Sequence, residues 1–448
     1  MTALALPFEG LPPVAQAVMW VAFVVIVGGL VWTSLLFAAS RGALARAPEP
    51  SPEGADGFLW AFLVPALDEE VTIADSVARL LEVEARHKVV LVIDDGSTDG
   101  TATVLDGLDA PELAVLHRTP PDARRGKAAA LNAAWRHLDG VLAEPALARW
   151  SRDRVIVVVV DADGRLHPTV PAYAAAHFAD PAVGGMQTLV RIYNRSGLLA
   201  WLQDVEFSIY GLLFQAGRTA MGIAGMGGNG QLNRLSALDS VVEPDAEGPW
   251  RDRLTEDQDL GLRLLHAGWR CVADARATVD QQGLSSLRRL LRQRTRWAQG
   301  NLQAMAHLRR SWRAPLPVVA RLDLIAYLIQ PVLQAVVGVA FALAIAVAVT
   351  GTAGFWSDDM WLQLAFFFLL GFGGVVLGCL ARGARSGTAG LLRSLAIVPL
   401  VAGYAWLIWP VLARAATRQA ARRESWAKTA REPIEAAASP ERPSGAPG

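Results

Sequence analysis

Three acidic loops carry the chemistry that the sequence suggests: Pro65-Ala-Leu-Asp-Glu-Glu70, Asp94-Asp-Gly-Ser-Thr-Asp-Gly100 and Asp161-Ala-Asp-Gly164. Each follows a short apolar run, so carboxylates from separate strands would meet at one edge of a sheet. Such a cluster is costly unless a cation or a hydrogen-bond donor compensates it. A divalent cation with a diphosphate would do so, because Mg²⁺ prefers one or two carboxylates plus phosphate oxygens. Asp161 and Asp163 can reach the same small volume beyond a strand end; alternatively, this is a polar turn closing the strand. Lys127 is one of only three lysines, with Lys88 and Lys428, in a chain whose other cations are arginines. A compact ammonium is a suitable point charge for phosphate. Thr255-Glu-Asp257 offers carboxylates at a helix start, where Asp257 could act as a general base. Thr255 reads equally as an N-cap with acidic residues in the first turn, and the two readings are compatible. Gly227-Gly-Asn-Gly230 is not a Walker loop, since no Gly-Lys-Ser/Thr follows; it either lets a backbone approach a sugar or makes an ordinary turn.

These groups need a frame. Residues 58–64, 89–93 and 155–160 are continuous apolar runs of the kind found in strands buried on both faces, and 70–85 has a helical pattern. The alternation predicts an α/β domain, Rossmann-like, with a mostly parallel sheet and flanking helices. Ligands then bind beyond the carboxyl ends of the strands, where all three acidic loops lie.

The chain has 448 residues, balanced at 42 basic and 42 acidic, which excludes the global basic excess of a nucleic-acid binder. Two cysteines and seven scattered histidines form no zinc or disulfide pattern. The arginine, alanine and glycine bias suggests a bacterial source. Residues 14–39 are long and apolar enough to cross a hydrocarbon core of about 30 Å, and Arg41 and Arg46 after them place that end in the cytoplasm. Further apolar segments at about 322–350, 360–381 and 391–413 read as spans, the first containing Pro331, with Trp356, Trp361, Trp406 and Trp409 as interfacial anchors. The division predicted is an anchor over 1–46, a linker over 47–57 and a cytoplasmic catalytic domain over 58–283. Amphipathic interfacial helices over 284–318, about three spans over 319–413, and a basic then disordered tail over 414–448 complete it. An odd total count of crossings would be needed to put Arg414, Arg418, Arg422, Arg423 and Lys428 inside, whereas four spans put them outside.

The ordered motifs, from Val64-Pro-Ala-Leu-Asp-Glu-Glu70, Ile93-Asp-Asp-Gly-Ser-Thr-Asp99 and Gly126-Lys-Ala-Ala-Ala-Leu-Asn132 through Asp161-Ala-Asp163, Gly227-Gly-Asn-Gly230, Thr255-Glu-Asp257 and Gln293-Arg-Thr-Arg-Trp297, resemble family 2 glycosyltransferases of the GT-A fold. The nearest resemblance is to the membrane-bound branch with cellulose, hyaluronan and poly-N-acetylglucosamine synthases. That resemblance implies that Pro65, Glu69, Asp95, Lys127, Asp161, Gln293 and Arg296 serve the nucleotide and diphosphate. It implies that Asp163, with Asp161, holds Mg²⁺ or Mn²⁺, and that Asp257, flanked by Glu256 and Thr255, is the base. Gly228, Asn229 and Trp297 would face the acceptor. Two departures stand out: Leu67-Asp68 after Pro-Ala, and Val279-Asp-Gln-Gln-Gly283 where many relatives carry a Glu/Pro-containing loop. The function so implied is inverting, metal-dependent transfer of a hexose from a nucleotide-diphosphate sugar, UDP-linked by family habit, to a growing polysaccharide or glycan at the plasma membrane. The rival within that class is addition of one sugar to a lipid acceptor, either a polyprenyl phosphate or a glycolipid. A rival of another class is a non-catalytic nucleotide-sugar-binding membrane scaffold.

Overall fold

In the computed structural model, residues 11–350 and 360–422 are described. Trp356, Arg423, Lys428 and the Pro/Ser/Glu-rich end lie outside them. One sheet holds β1 (Leu59–Ala66), β2 (Lys88–Asp94), β3 (Leu113–His117), β4 (Val155–Val159), β5 (Arg165–Leu166), β6 (Val183–Ile192), β7 (Gln231–Arg234) and β8 (Arg270–Gln281). Their order is β3-β2-β1-β4-β7-β6-β8-β5.

The predicted parallel core is present. β1 lies between β2 and β4, parallel to both, with Leu63 paired to Leu91 on one side and Val159 on the other. Its apolar run is continuous because both faces are covered: Leu59, Ala61 and Leu63 enter one core, and Trp60, Phe62 and Val64 the other. β7 runs antiparallel to β4 and β6, and β5 antiparallel to β8. Strand order therefore reverses direction of travel between β1 and β4, and the ends of β1, β2 and β4 open onto a single crevice.

Around this sheet pack α1 (Pro13–Ala45), α2 (Ile73–Leu81), α3 (Lys127–Leu142) and α4 (Leu198–Ile209). A π-helical turn, Tyr210–Gln215, prolongs α4 into the short α5 (Ala216–Thr219). Then follow α6 (Glu256–His266), α7 (Leu287–Ala304), α8 (Val318–Thr350) and α9 (Met360–Gly383). α8 continues through Pro331. α1 and α8 run antiparallel: Trp32 meets Asp323, while Met19 and Ala22 pack with Ala340. By length and composition Pro13–Ala45, Val318–Ala346 and Val398–Ala420 can cross a membrane.

The stretch expected as a span at 391–413 differs from one continuous helix. It is α10 (Gly387–Ala396), α11 (Val398–Ala405) and α12 (Ile408–Ala420). Pro399 and Pro410 lack an N–H, so neither can donate to the preceding turn, and the chain breaks near both. Both ends of this stretch meet the sheet domain and α7: Arg385 donates to the Ala275 carbonyl at 3.4 Å, and Arg418 and Gln419 bond Gln299 of α7 at 3.2 Å. The end of this stretch, with Arg418 and Gln419, lies beside α7.

Leu63 is fully buried at the centre of β1. Leu63→Ala costs about 2–5 kcal/mol through lost transfer energy and a cavity, read as a lowered thermal midpoint of the detergent-purified chain.

Candidate active site

The crevice is acidic, and one lysine organises it. Lys127 begins α3, and its Nζ lies 2.5 Å from Asp161 Oδ1 and 3.7 Å from Glu256 Oε1. Asp161 hangs from the end of β4, whereas Glu256 opens α6, so this contact joins two parts of the sheet's edge. Burial alone would lower the Lys127 pKa, but Asp161, Glu256 and Asp257 outweigh it and raise it. The ammonium stays charged.

Asp257 follows Glu256 in the first turn of α6. Burial first, then the Glu256 charge, push its carboxyl up to about 7, against Lys127, the Gln258 N–H and Arg296. A carboxylate so placed suits proton removal near neutrality. Thr255 differs from the capping expectation: its hydroxyl makes no cap hydrogen bond and donates instead to Gln258 Oε1 at 3.0 Å.

Gly228 shows why the glycine loop lies here. It has φ +77°, and a Cβ on it would stand 2.9 Å from Asp257 Oδ2 and 3.5 Å from Lys127 Nζ. The bare backbone leaves that space open. Asn229, expected toward an acceptor, turns inward: it is buried, accepts from the Asp161 N–H at 3.1 Å, and donates to Gln281 at 3.1 Å. Its work is to hold the Asp161 loop. The departing loop noted in the sequence proves to be part of the site, since the Gln282 N–H donates to Asp163 Oδ2 at 3.1 Å.

On the other flank, Pro65 is next to last in β1, opposite Ile93. The Glu69 N–H donates to Thr101 at 2.7 Å, and its carboxylate accepts from Thr72 at 3.2 Å. Asp95 is buried beside Arg118; burial raises its pKa although Arg118 opposes. Arg124 donates to both Asp68 oxygens at 3.0 Å, so the unusual Asp68 ties two loops together. Neither arginine had a motif to mark it.

α7 closes the crevice. A side chain at Gly300 would collide with Thr255, so α7 lies directly against the start of α6. Arg296 is within charge range of Asp257, and its Nε is buried without a hydrogen-bond partner. Trp297 lies edge-on to Phe207 at 6.2 Å, with the Arg294 guanidinium 4.3 Å from its ring centroid. Arg294 in turn pairs with Glu206 at 2.6 Å, and Tyr404 donates to the same carboxylate at 2.8 Å. Gln293 sits half-buried on the same helix. Thus Lys127, Asp161, Glu256, Asp257, Gly228 and Arg296 converge. Pro65, Glu69 and Asp95 form a separate flank on the β1 and β2 loops.

Among the described residues no three His, Cys, Asp or Glu side chains form a ready metal cage. The donor set available, Asp161 and Asp163, is made of hard oxygens and fits a cation that completes its shell with phosphate oxygens. Lys127 and Arg296, both within charge range of Asp257, supply the positive charge that an anion there would meet.

Removing Lys127 takes away a charge that favours the Asp257 carboxylate. Lys127→Gln therefore moves the acid limb of kcat/KM upward from near pH 7, besides slowing the enzyme; a limb that stays in place contradicts this coupling.

The sequence profile described as "Glycosyltransferase like family 2" matches residues 59–300. Over 327 residues the chain is 30% identical to the β-monoglucosyldiacylglycerol synthase of Synechocystis sp., covering 67% of this chain and 63% of that protein. It is 27% identical over 268 residues to the poly-β-1,6-N-acetyl-D-glucosamine synthase of Staphylococcus aureus, covering 59% of each. The chain thus spans under two thirds of either relative. Among solved structures, a mannosyltransferase from Pyrobaculum calidifontis in complex with GDP-Man and Mn²⁺ superposes with TM-score 0.58 at 20% identity, over 91% of this chain and 100% of that one, a likeness of fold. With more than half of its length matched by the profile, and the mostly parallel sheet that the fold requires, this chain belongs to glycosyltransferase family 2.

Proposed function

We propose that the protein transfers a hexose, with inversion, from a nucleotide-diphosphate sugar to a hydroxyl presented at the membrane. The observation that carries this reading is Asp257 beside Lys127, across the open Gly228 backbone, with Arg296 within charge range of the same carboxylate. Asp257 takes the proton from the acceptor hydroxyl. The freed oxygen attacks the anomeric carbon from the face opposite the diphosphate, and the bond from that carbon to the diphosphate oxygen breaks. Lys127 and Arg296 counter the charge gathered on the departing nucleoside diphosphate. Trp297 offers its ring to a sugar's apolar face, held in place by Arg294 and Phe207. Pro65, Glu69 and Asp95 line the side of the crevice assigned to the base and ribose. Asp161 and Asp163 would hold Mg²⁺ or Mn²⁺, which when bound supplies positive charge to the leaving diphosphate.

Two acceptors fit the family. Gln293-x-x-Arg296-Trp297 resembles the motif of chain-extending synthases and supports a growing glycan. The longer and closer match to a lipid glucosyltransferase, together with contact between α6 and the membrane helix α8 through Gln258 and Tyr327, supports a lipid such as diacylglycerol. We place the lipid acceptor first. The catalytic domain is assigned to the cytoplasmic face of a bacterial membrane, with Pro13–Ala45, Val318–Ala346 and Val398–Ala420 as segments able to cross it.

Membranes given radiolabelled UDP-glucose, UDP-N-acetylglucosamine, UDP-galactose or GDP-mannose, followed by product sizing, identify donor and acceptor together. A single sugar on a lipid under excess donor is the expected product; a ladder of long chains returns the polymer reading. Asp257→Asn lowers kcat by about 10²–10⁴-fold, and full activity in that variant rejects the base. EDTA abolishes transfer and added Mn²⁺ or Mg²⁺ restores it; unchanged turnover in EDTA rejects the metal.

A further inference from the structure

The base is held from behind by a polar chain that reaches the membrane helices. Asp257 Oδ1 accepts the Gln258 N–H at 2.7 Å. The buried Gln258 side chain accepts from Thr255 and donates from Nε2 to the Tyr327 hydroxyl on α8 at 2.9 Å. The Tyr327 ring lies under the Arg218 guanidinium, 4.7 Å from centroid to Cζ. Arg218, carried just past the π-helical turn, donates to Asp323 Oδ2 at 2.7 Å. Asp323 is one turn before Tyr327 on α8, and its other oxygen accepts the Trp32 indole N–H from α1 at 2.7 Å.

Each link has a physical reason to be stiff. Asp323 is 1% exposed and Arg218 6%, and breaking a buried pair leaves an uncompensated charge. Ionisable groups in membrane helices are costly and mark function by default. A small cavity lined by Arg218, Met226, Gln258, Leu324 and Tyr327 lies between the two helices. The Gln258 amide is held from both sides, by Thr255 and by Tyr327, and facing the cavity it is the hydrogen bond to Tyr327 that fixes it.

We infer that Gln258, Tyr327 and the Arg218–Asp323 pair are positioning residues that lock the Asp257 carboxylate to the membrane helices, setting its depth and aim toward a membrane-borne hydroxyl. The inference rests on the reading of Asp257 as the base. Neither Gln258 nor Tyr327 touches the reacting atoms; they act through the first turn of α6.

The test uses the full chain in nanodiscs with diacylglycerol and UDP-glucose, or whichever other donor of the four screened turns over. Tyr327→Phe and Gln258→Leu each lower kcat by about 10- to 100-fold, with UDP affinity and donor KM unchanged. The acid limb moves to higher pH, because loosening α6 weakens the Gln258 N–H bond that favours the carboxylate. Glu256, Lys127 and Arg296, the charged groups facing Asp257, are untouched by either change; Tyr327→Phe also removes the hydroxyl that meets Tyr210, which Gln258→Leu leaves in place. The double variant is no slower than the worse single, since both break one linkage. Should Tyr327→Phe fail to fold, Gln258→Asn, which withdraws the amide by one methylene and leaves α8 intact, decides alone. An unmoved limb and rate in a folded variant, or additive losses, overturn the linkage while an inactive Asp257→Asn keeps the base. Full activity in Asp257→Asn, or no turnover of any donor by the native chain, overturns both.

Discussion

Three carboxylates from two distant parts of the chain, Asp161, Glu256 and Asp257, gather around one ammonium, and much of the architecture exists to make that meeting tolerable. Brought together without Lys127, they would repel one another in a poorly hydrated crevice. With it, Asp161 stays paired at 2.5 Å while Asp257, further from the ammonium's best geometry, keeps a raised pKa. The pair of effects gives two aspartates different settings, one paired with the ammonium and one with a raised pKa. A diphosphate and its cation would enter a space already balanced for charge.

The frame supplies this in layers. Parallel β1, β2 and β4 deliver their loops to one edge, and the antiparallel β7 lays Gly228 across it. α7 then closes against Thr255 at Gly300, bringing Arg296 within charge range of Asp257. The membrane helices add a second support. α8 bonds α6 through Tyr327, and the α10–α12 stretch returns to α7 through Gln419 and to α4 through Tyr404. Site and membrane segments are therefore one packed unit rather than a soluble domain on a tether.

The separation of roles between loops is also physical. At the centre of the crevice the backbone is bare at Gly228 and a cation stands partly exposed at Lys127. Loops that only support are buried and fully bonded, as at Asn229, whose amide serves Asp161 and Gln281 at once. The departure at Val279–Gly283 belongs to the second kind: a backbone N–H, which any residue but proline provides, is what Gln282 gives to Asp163.

By itself the sequence determined whatever depends on local pattern. Unbroken apolar runs dictate strands covered on both faces, and their parallel order dictates that Asp68–Glu70, Asp94–Asp99 and Asp161–Asp163 share an edge. Long apolar helices likewise announce themselves, because hydrophobic length is a property of the chain. Only the tertiary structure decided which groups touch. Hydrogen bonds such as Gln258 to Tyr327 join residues far apart in sequence, and no composition signals them. It also turned Asn229 inward, gave Thr255 a side-chain partner in place of a cap, and divided the expected last span into three helices. In each case the outcome depended on competition between a local preference and a neighbour that only folding supplies.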